Sequence, residues 1–363
     1  MKKLISLSAL LLLLATACAG DELGGSPKES LSAAIENLTE LQGLEMVFTV
    51  QSTADSIAAL DESEENALSE EDAQRILDSS ISVKTRGKTP EEAQAEFVVN
   101  IAGEDDIEMR FLDQTLYVRA DVRGLIETFG GDPSGLDQFE QQASAAGVTF
   151  VKPAIEGEWI GLEGLKELAQ QQGFPTARAP DQDALVRAFR TAVDEEAEVT
   201  EGDRDGPGTH LVVDLPVREI YERLLPEFQK LLVGVPGAAL PPASEVPDES
   251  VRVDTWVDGD QLKQVRLDLL QFFRFGDEPV PEGVEEFALQ VTIDEFDDEV
   301  EAPEDAVTLT PQEIQQAFGA LMGGAITGTE SQSGTATPGV DCEVLEQAPP
   351  EVQQQFVKEC PVN

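Results

Sequence analysis

Residues 95–118 read AEFVVNIAGEDDIEMRFLDQTLYV. Apolar side chains alternate with polar ones along them: Ala95, Phe97, Val99 and Ile101 share one side, then Ile107, Met109 and Phe111, then Leu116 and Val118. A period of two is the pattern of a strand with one covered and one wet face. Gly103-Glu104-Asp105 and Asp113-Gln114 break the alternation with turn-forming residues. The stretch therefore predicts an antiparallel meander.

The pattern extends in both directions. Towards the N-terminus, Leu31, Ala34, Ile35, Leu38 and Leu41 recur at helical spacing after Ser26-Pro27, and Leu44, Met46, Phe48 and Val50 alternate as a strand. Ser69-Glu70-Glu71-Asp72 opens a short helix that ends near Leu77. Towards the C-terminus, helices are predicted over 121–129, 136–145, 162–172, 181–193 and 217–232, and strands over 158–162, 210–215, 251–257, 262–270 and 287–296. Asp258-Gly259-Asp260 is a hairpin turn, and a last helix covers 311–321.

The first residues assign a compartment. Lys2 and Lys3 precede an apolar run over 4–14, too short to span a hydrocarbon core of roughly 30 Å, which is the build of a secretory signal. Ala15-Thr16-Ala17-Cys18 resembles the lipobox of bacterial lipoproteins, with Ala15 where Leu is usual. That resemblance implies cleavage before Cys18 and a diacylglyceryl group on its sulfur, placing the protein on the outer face of the cell membrane. Two or more acyl chains hold a protein on a bilayer where one does not. The expected organisation is a signal peptide at 1–17, the lipidated cysteine and a flexible tether at 18–29, a folded body at 30–322, a Gly/Ser/Thr linker at 323–340 and an appendage at 341–363. Cys342 and Cys360, an even pair in an exported chain, are expected to close that appendage as a disulfide.

Composition excludes several functions. The chain has 363 residues, 24 Lys+Arg against 72 Asp+Glu, and a formal net charge of −48. A polyphosphate would meet like charge almost everywhere, so nucleic acid is not an expected partner. The lone histidine, His210, rules out a His-cluster metal site and is the only candidate imidazole base, yet no Gly-x-Ser-x-Gly elbow accompanies it. Glu201-Gly202-Asp203-Arg204-Asp205-Gly206 begins like a calcium loop, but Val212 stands where a bidentate Glu belongs. Gly130-Gly131-Asp132-Pro133 lacks the Lys-Ser/Thr of a phosphate cradle. No catalytic residue, metal ligand or cofactor is assigned.

The order of helix, strands, intervening helices and strands resembles the LppX/LprG-type lipoproteins of the wider LolA-like fold. The likeness is carried by 38–50, by Met109–Val122, by Glu158-Trp159-Ile160-Gly161-Leu162 and by Thr255-Trp256-Val257-Asp258-Gly259-Asp260-Gln261-Leu262. It implies an α+β fold: a curved antiparallel half-barrel with helices on its concave face and an apolar cavity for acyl chains between them. Phe48, Phe97, Val99, Met109, Phe111, Leu267, Leu289 and Val291 are the expected cavity lining, or else the packing of a closed core. The expected function is a non-enzymatic, membrane-anchored lipoprotein that binds a lipid or another long apolar molecule and carries it across the envelope. The alternatives are an accessory or sensory lipoprotein with a filled core, and an envelope hydrolase built on His210.

Overall fold

The computed structural model describes residues 25–60, 68–87, 89, 92–165, 182–204, 206–231, 240–275 and 279–316. Its strands are β1 (Gly43–Ser52), β2 (Ser80–Arg86), β3 (Gln94–Ile101), β4 (Glu104–Leu112), β5 (Thr115–Ala120), β6 (Ile160–Leu162), β7 (Glu198–Glu201), β8 (Thr209–Pro216), β9 (Ser250–Asp258), β10 (Gln261–Asp268), β11 (Phe287–Glu295) and β12 (Val307–Leu309). They form one sheet in the order β12-β6-β5-β4-β3-β2-β1-β11-β10-β9-β8-β7. Its two edges are different strands, so the curved sheet stays open. All pairs are antiparallel except β12 on β6. The N-terminal strand β1 lies near the middle, pairing with β2 on one side and β11 on the other.

Helices α1 (Pro27–Asn37), α2 (Ala54–Ala59), α3 (Glu70–Leu77), α4 (Val122–Thr128), α5 (Ser134–Ala145), α6 (Val151–Ile155), α7 (Gln182–Glu196), α8 (Val217–Leu231) and α9 (Gln271–Phe275) complete the α+β architecture. Helix α1 starts earlier than its apolar period suggests, because Ser26 and Glu29 form a capping box: the Ser26 hydroxyl accepts from the Glu29 N–H, and the Glu29 carboxylate accepts from the Ser26 N–H at 2.6 Å. Ser69 caps α3 and Asp121 caps α4 in the same way, each accepting the N–H three residues on.

The first turn of the meander is tighter than predicted, and the second lies where predicted. Ala102 and Gly103 form the whole β3–β4 turn, both at positive φ (53° and 95°), while Glu104 and Asp105 already pair within β4. Asp113 and Gln114 do the same for β4–β5 (51° and 63°). Two left-handed residues in succession match the right-handed twist of the flanking strands. Among other differences, β2, β7 and β12 lie outside the predicted strands, and Leu162 belongs to β6 rather than to a helix over 162–172, of which 166–172 lie outside the described residues. Residues 311–316 are helical as predicted, and the rest of that helix is outside the description. So are the signal peptide, Cys18, the linker and both Cys342 and Cys360.

The main core lies on one half of the sheet. Helices α1, α7 and α8 cover the inner face of β8–β11 and β1, burying Leu31, Ile35, Phe189, Val193, Ile220 and Leu224 against Leu211, Val213, Val253, Val265 and Val291. Between α1, α7 and the strands the remaining void is about 10 Å³, room for one water at most. This half is closed.

Candidate functional site: the unsealed apolar face

Register fixes which side chains share the inner face of the other half. Across β2, β3, β4 and β5, Val83 stands opposite Phe97, Phe97 opposite Met109 and Met109 opposite Val118. A second row runs Ile81, Val99, Ile107, Ala120, and a third links Ala95, Phe111 and Leu116. Through β1 these rows continue into the closed core, since Phe48 pairs with Ile81 on one side and Val291 on the other. One apolar surface therefore crosses the whole sheet, and its cover changes along the way. Phe97, Val99, Ile107, Met109, Leu116 and Val118 are not all sealed: Phe97, Val99, Leu116 and Val118 are half-buried, and Ile81 and Phe111 remain 39% and 37% exposed. Apolar strand residues normally bury this face against another layer.

The opposite face of the same strands is the better covered one. Glu45, Lys84, Glu96 and Arg110 lie side by side on β1 to β4. Lys84 Nζ is 2.8 Å from Glu96 Oε1, and Arg110 Nε is 2.9 Å from Glu96 Oε2 as an ion pair rather than an aligned hydrogen bond. Glu108, nearly buried, pairs with Arg110 at 3.4 Å and with Arg119. Trp159 closes the ladder, with the Arg110 and Arg119 guanidinium carbons 4.9 Å and 5.2 Å from the indole centroid. The hydrogen bond from Lys84 to Glu96 raises the lysine pKa, outweighing its partial burial. A strap leading from β11 to β12 runs across this face: Arg110 donates to the Glu301 carbonyl at 3.1 Å, Gln94 accepts from the Val300 N–H at 3.1 Å, and Val300 is buried. Charged residues are buried here because each has a partner of opposite sign. The strap and the ladder were not visible in the sequence; the one signal was the set of Arg and Glu residues at the wet positions of β3, β4 and β5.

The eight expected lining residues divide between the halves. Leu267 and Val291 are buried in the closed core, and Phe48 packs partly against it. Leu289 is half-buried beside them on β11. Phe97, Val99, Met109 and Phe111 come together on the unsealed face. His210 sits elsewhere, on the outer side of β8: its ring stacks on Trp256 at 4.5 Å, Nε2 is 2.9 Å from Asp254 Oδ1 and Nδ1 is 3.2 Å from the Asp203 carbonyl. Both ring nitrogens are thus engaged. Among the described residues no group of three or more His, Cys, Asp or Glu side chains could hold a metal ion.

The fold defines an α+β protein on an open, curved antiparallel sheet, sealed by helices over one half. The chain is similar to the crystal structure of the Mycobacterium tuberculosis lipoprotein LppX, with 11% identity and a TM-score of 0.32 over 76% of this chain and 98% of that one. No protein-family model matches the chain, and no curated protein matches it.

Proposed function

We propose that the protein is a lipid-anchored, extracytoplasmic lipoprotein that holds a lipid or another long apolar molecule against the inner face of β2–β5 and carries it across the envelope without catalysing a reaction. The observation that carries this reading is the row Val83, Phe97, Met109, Val118, continuous with the sealed core yet itself half open. Each methylene laid on such a surface leaves water and contributes about 0.8 kcal/mol, so an acyl chain needs no polar recognition to bind. The Lys2-Lys3 start, the short apolar run and Ala15-Thr16-Ala17-Cys18 support the anchor. No helix among the described residues is long and apolar enough to cross a membrane.

Organic extraction of the purified protein, followed by mass spectrometry, tests the reading. Stoichiometric lipid is expected from the wild type, and Phe97→Asp together with Met109→Asp should abolish it while α1, α7 and α8 keep the other half folded. Protein free of lipid in every preparation would overturn it. The filled core under α1 and α7 favours a second reading, an accessory lipoprotein that acts through a protein partner. In vivo cross-linking that captures one dominant protein with no bound lipid would select that alternative.

A further inference from the structure

The large exposed apolar side chains among the described residues are Ile76, Ile81, Phe111, Phe129 and Phe139, all within one quarter of the chain. Three of them gather at one end of the sheet, where β1 finishes at Ser52, β3 at Ile101 and β5 at Ala120, and where β2 begins. Ile81 is the second residue of β2, Ile76 lies in the last turn of α3, and Phe129 follows α4. Arg75 ties the two helices, donating to the Thr128 carbonyl at 3.2 Å. Phe129 is 70% exposed. Phe139 is carried on α5, which Arg123 joins to α4 through Asp137 at 2.8 Å.

The start of α1 lies at the same end. Lys28 in the first turn of α1 donates to the Ala197 carbonyl at 2.8 Å, immediately before β7 begins at Glu198. Glu198 pairs with Asp214 near the finish of β8, on the side of the sheet where β1, β3 and β5 also end. Seven residues separate Cys18 from Ser26, eight steps along the chain that span at most about 30 Å even when fully extended. Resting on the anchored-carrier reading above, this length keeps the start of α1 within about 30 Å of the bilayer.

We propose that this end is the membrane-facing mouth of the apolar face, and that Phe129, with Ile76 beside it, dips into the lipid surface so that an acyl chain passes between bilayer and sheet without crossing water. The partner is a zwitterionic lipid surface. Glu70, Glu71 and Asp72 in the first turn of α3, Asp78 at its end and Glu127 on α4 put acid on the same two helices, and the formal charge of −48 repels anionic headgroups. Aromatic side chains at a headgroup boundary remove apolar area from water while the acidic residues stay wet.

The test uses the full mature chain with its acylated Cys18, confirmed by mass, in phosphatidylcholine vesicles. In Phe129→Trp, brominated acyl chains should quench the added tryptophan emission at least about twofold relative to wild type, whose Trp159 and Trp256 report the background. Hydrogen exchange across 122–131 of the unaltered protein should slow about tenfold in vesicles relative to detergent, a readout that needs no variant. Mixing in phosphatidylglycerol should weaken both signals; strengthening would overturn the zwitterionic assignment. Emission from Phe129→Trp quenched no more than wild type, with 122–131 unprotected, would overturn the mouth. If extracted lipid is still found in that case, the carrier reading survives. Quenching without any extractable lipid would leave the mouth and remove the carrier, and an unacylated Cys18 would remove both.

Discussion

Arg110 on β4 and Trp159 just before β6 stack across the polar face of the sheet, guanidinium carbon 4.9 Å from the indole centroid. The contact joins residues 49 positions apart and fixes the far end of a charge ladder that starts at Glu45. Arg110 also neutralises Glu96 and Glu108, whose side chains are 13% and 6% exposed. Replacing it by Met should cost about 2 kcal/mol, below the usual 3–5 kcal/mol for a broken buried pair because Lys84 and Arg119 still face the two carboxylates. Trp159→Ala combined with Arg110→Met should fall short of additivity by about 1 kcal/mol. Urea unfolding of the four proteins measures both quantities, and strict additivity would mean that the stack contributes nothing.

Asp106 is a buried carboxyl at the first turn of the meander, accepting from the Ile101 N–H at 3.2 Å. Burial pushes its pKa above the usual 3.8, and Asp121, Glu104 and Asp105 act in the same direction against that one hydrogen bond. A carboxyl whose folded pKa is raised lowers stability above that pKa, where it must ionise in place, and has no such effect below the unfolded value. Asp106→Asn keeps an acceptor for Ile101 and removes the charge. It should raise the melting temperature at neutral pH, with the gain fading as pH falls through the folded pKa towards 3.8. A constant gain from neutral pH to below that value would mean that something other than ionisation is responsible.

Gly206 holds φ at +90°, and a Cβ there would lie 2.6 Å from Trp256 Nε1. Both the backbone and the indole require glycine at this position. Gly206→Ala should cost about 1–3 kcal/mol and disturb the Trp256–His210 stack, read as a shift in tryptophan emission together with the His210 ring resonances. A silent substitution would show that the loop before β8 moves freely.

How much of this was legible follows from where each contact lies along the chain. The alternation over 95–118 is local and placed β3, β4 and β5, with their shared apolar side, correctly. The stripe Leu31, Ala34, Ile35 and Leu38 marked an amphipathic helix, yet nothing local says which half of a sheet it covers. That depends on α7 and α8, which lie far along the chain from α1. For the same reason Leu267 and Val291 could not be told apart from Phe97 and Met109: all four are apolar residues on one face, and only the helices decide which are sealed. The ladder from Glu45 to Arg119 was hidden because wet-face charges on a strand look alike whether solvated or strapped.

The contrast between the two halves gives the most direct test of the site. Leu224 on α8 is fully buried against the closed core, so Leu224→Ala should cost about 3 kcal/mol, the transfer of its methylenes plus the cavity left behind. Met109 has the same kind of apolar side chain on the same face of the sheet but is half-buried, outside the core that α1, α7 and α8 form with the other half among the described residues. Met109→Ala should cost about 1 kcal/mol or less, since part of its surface is already wet. Binding should show the reverse order, as measured by titrating a fluorescent long-chain fatty acid into each variant. Leu224→Ala should leave affinity within about twofold, whereas Met109→Ala and Phe97→Ala should each weaken it about tenfold, the equivalent of about 1.4 kcal/mol of lost apolar contact. Equal losses of binding in both halves would place the ligand away from β2–β5.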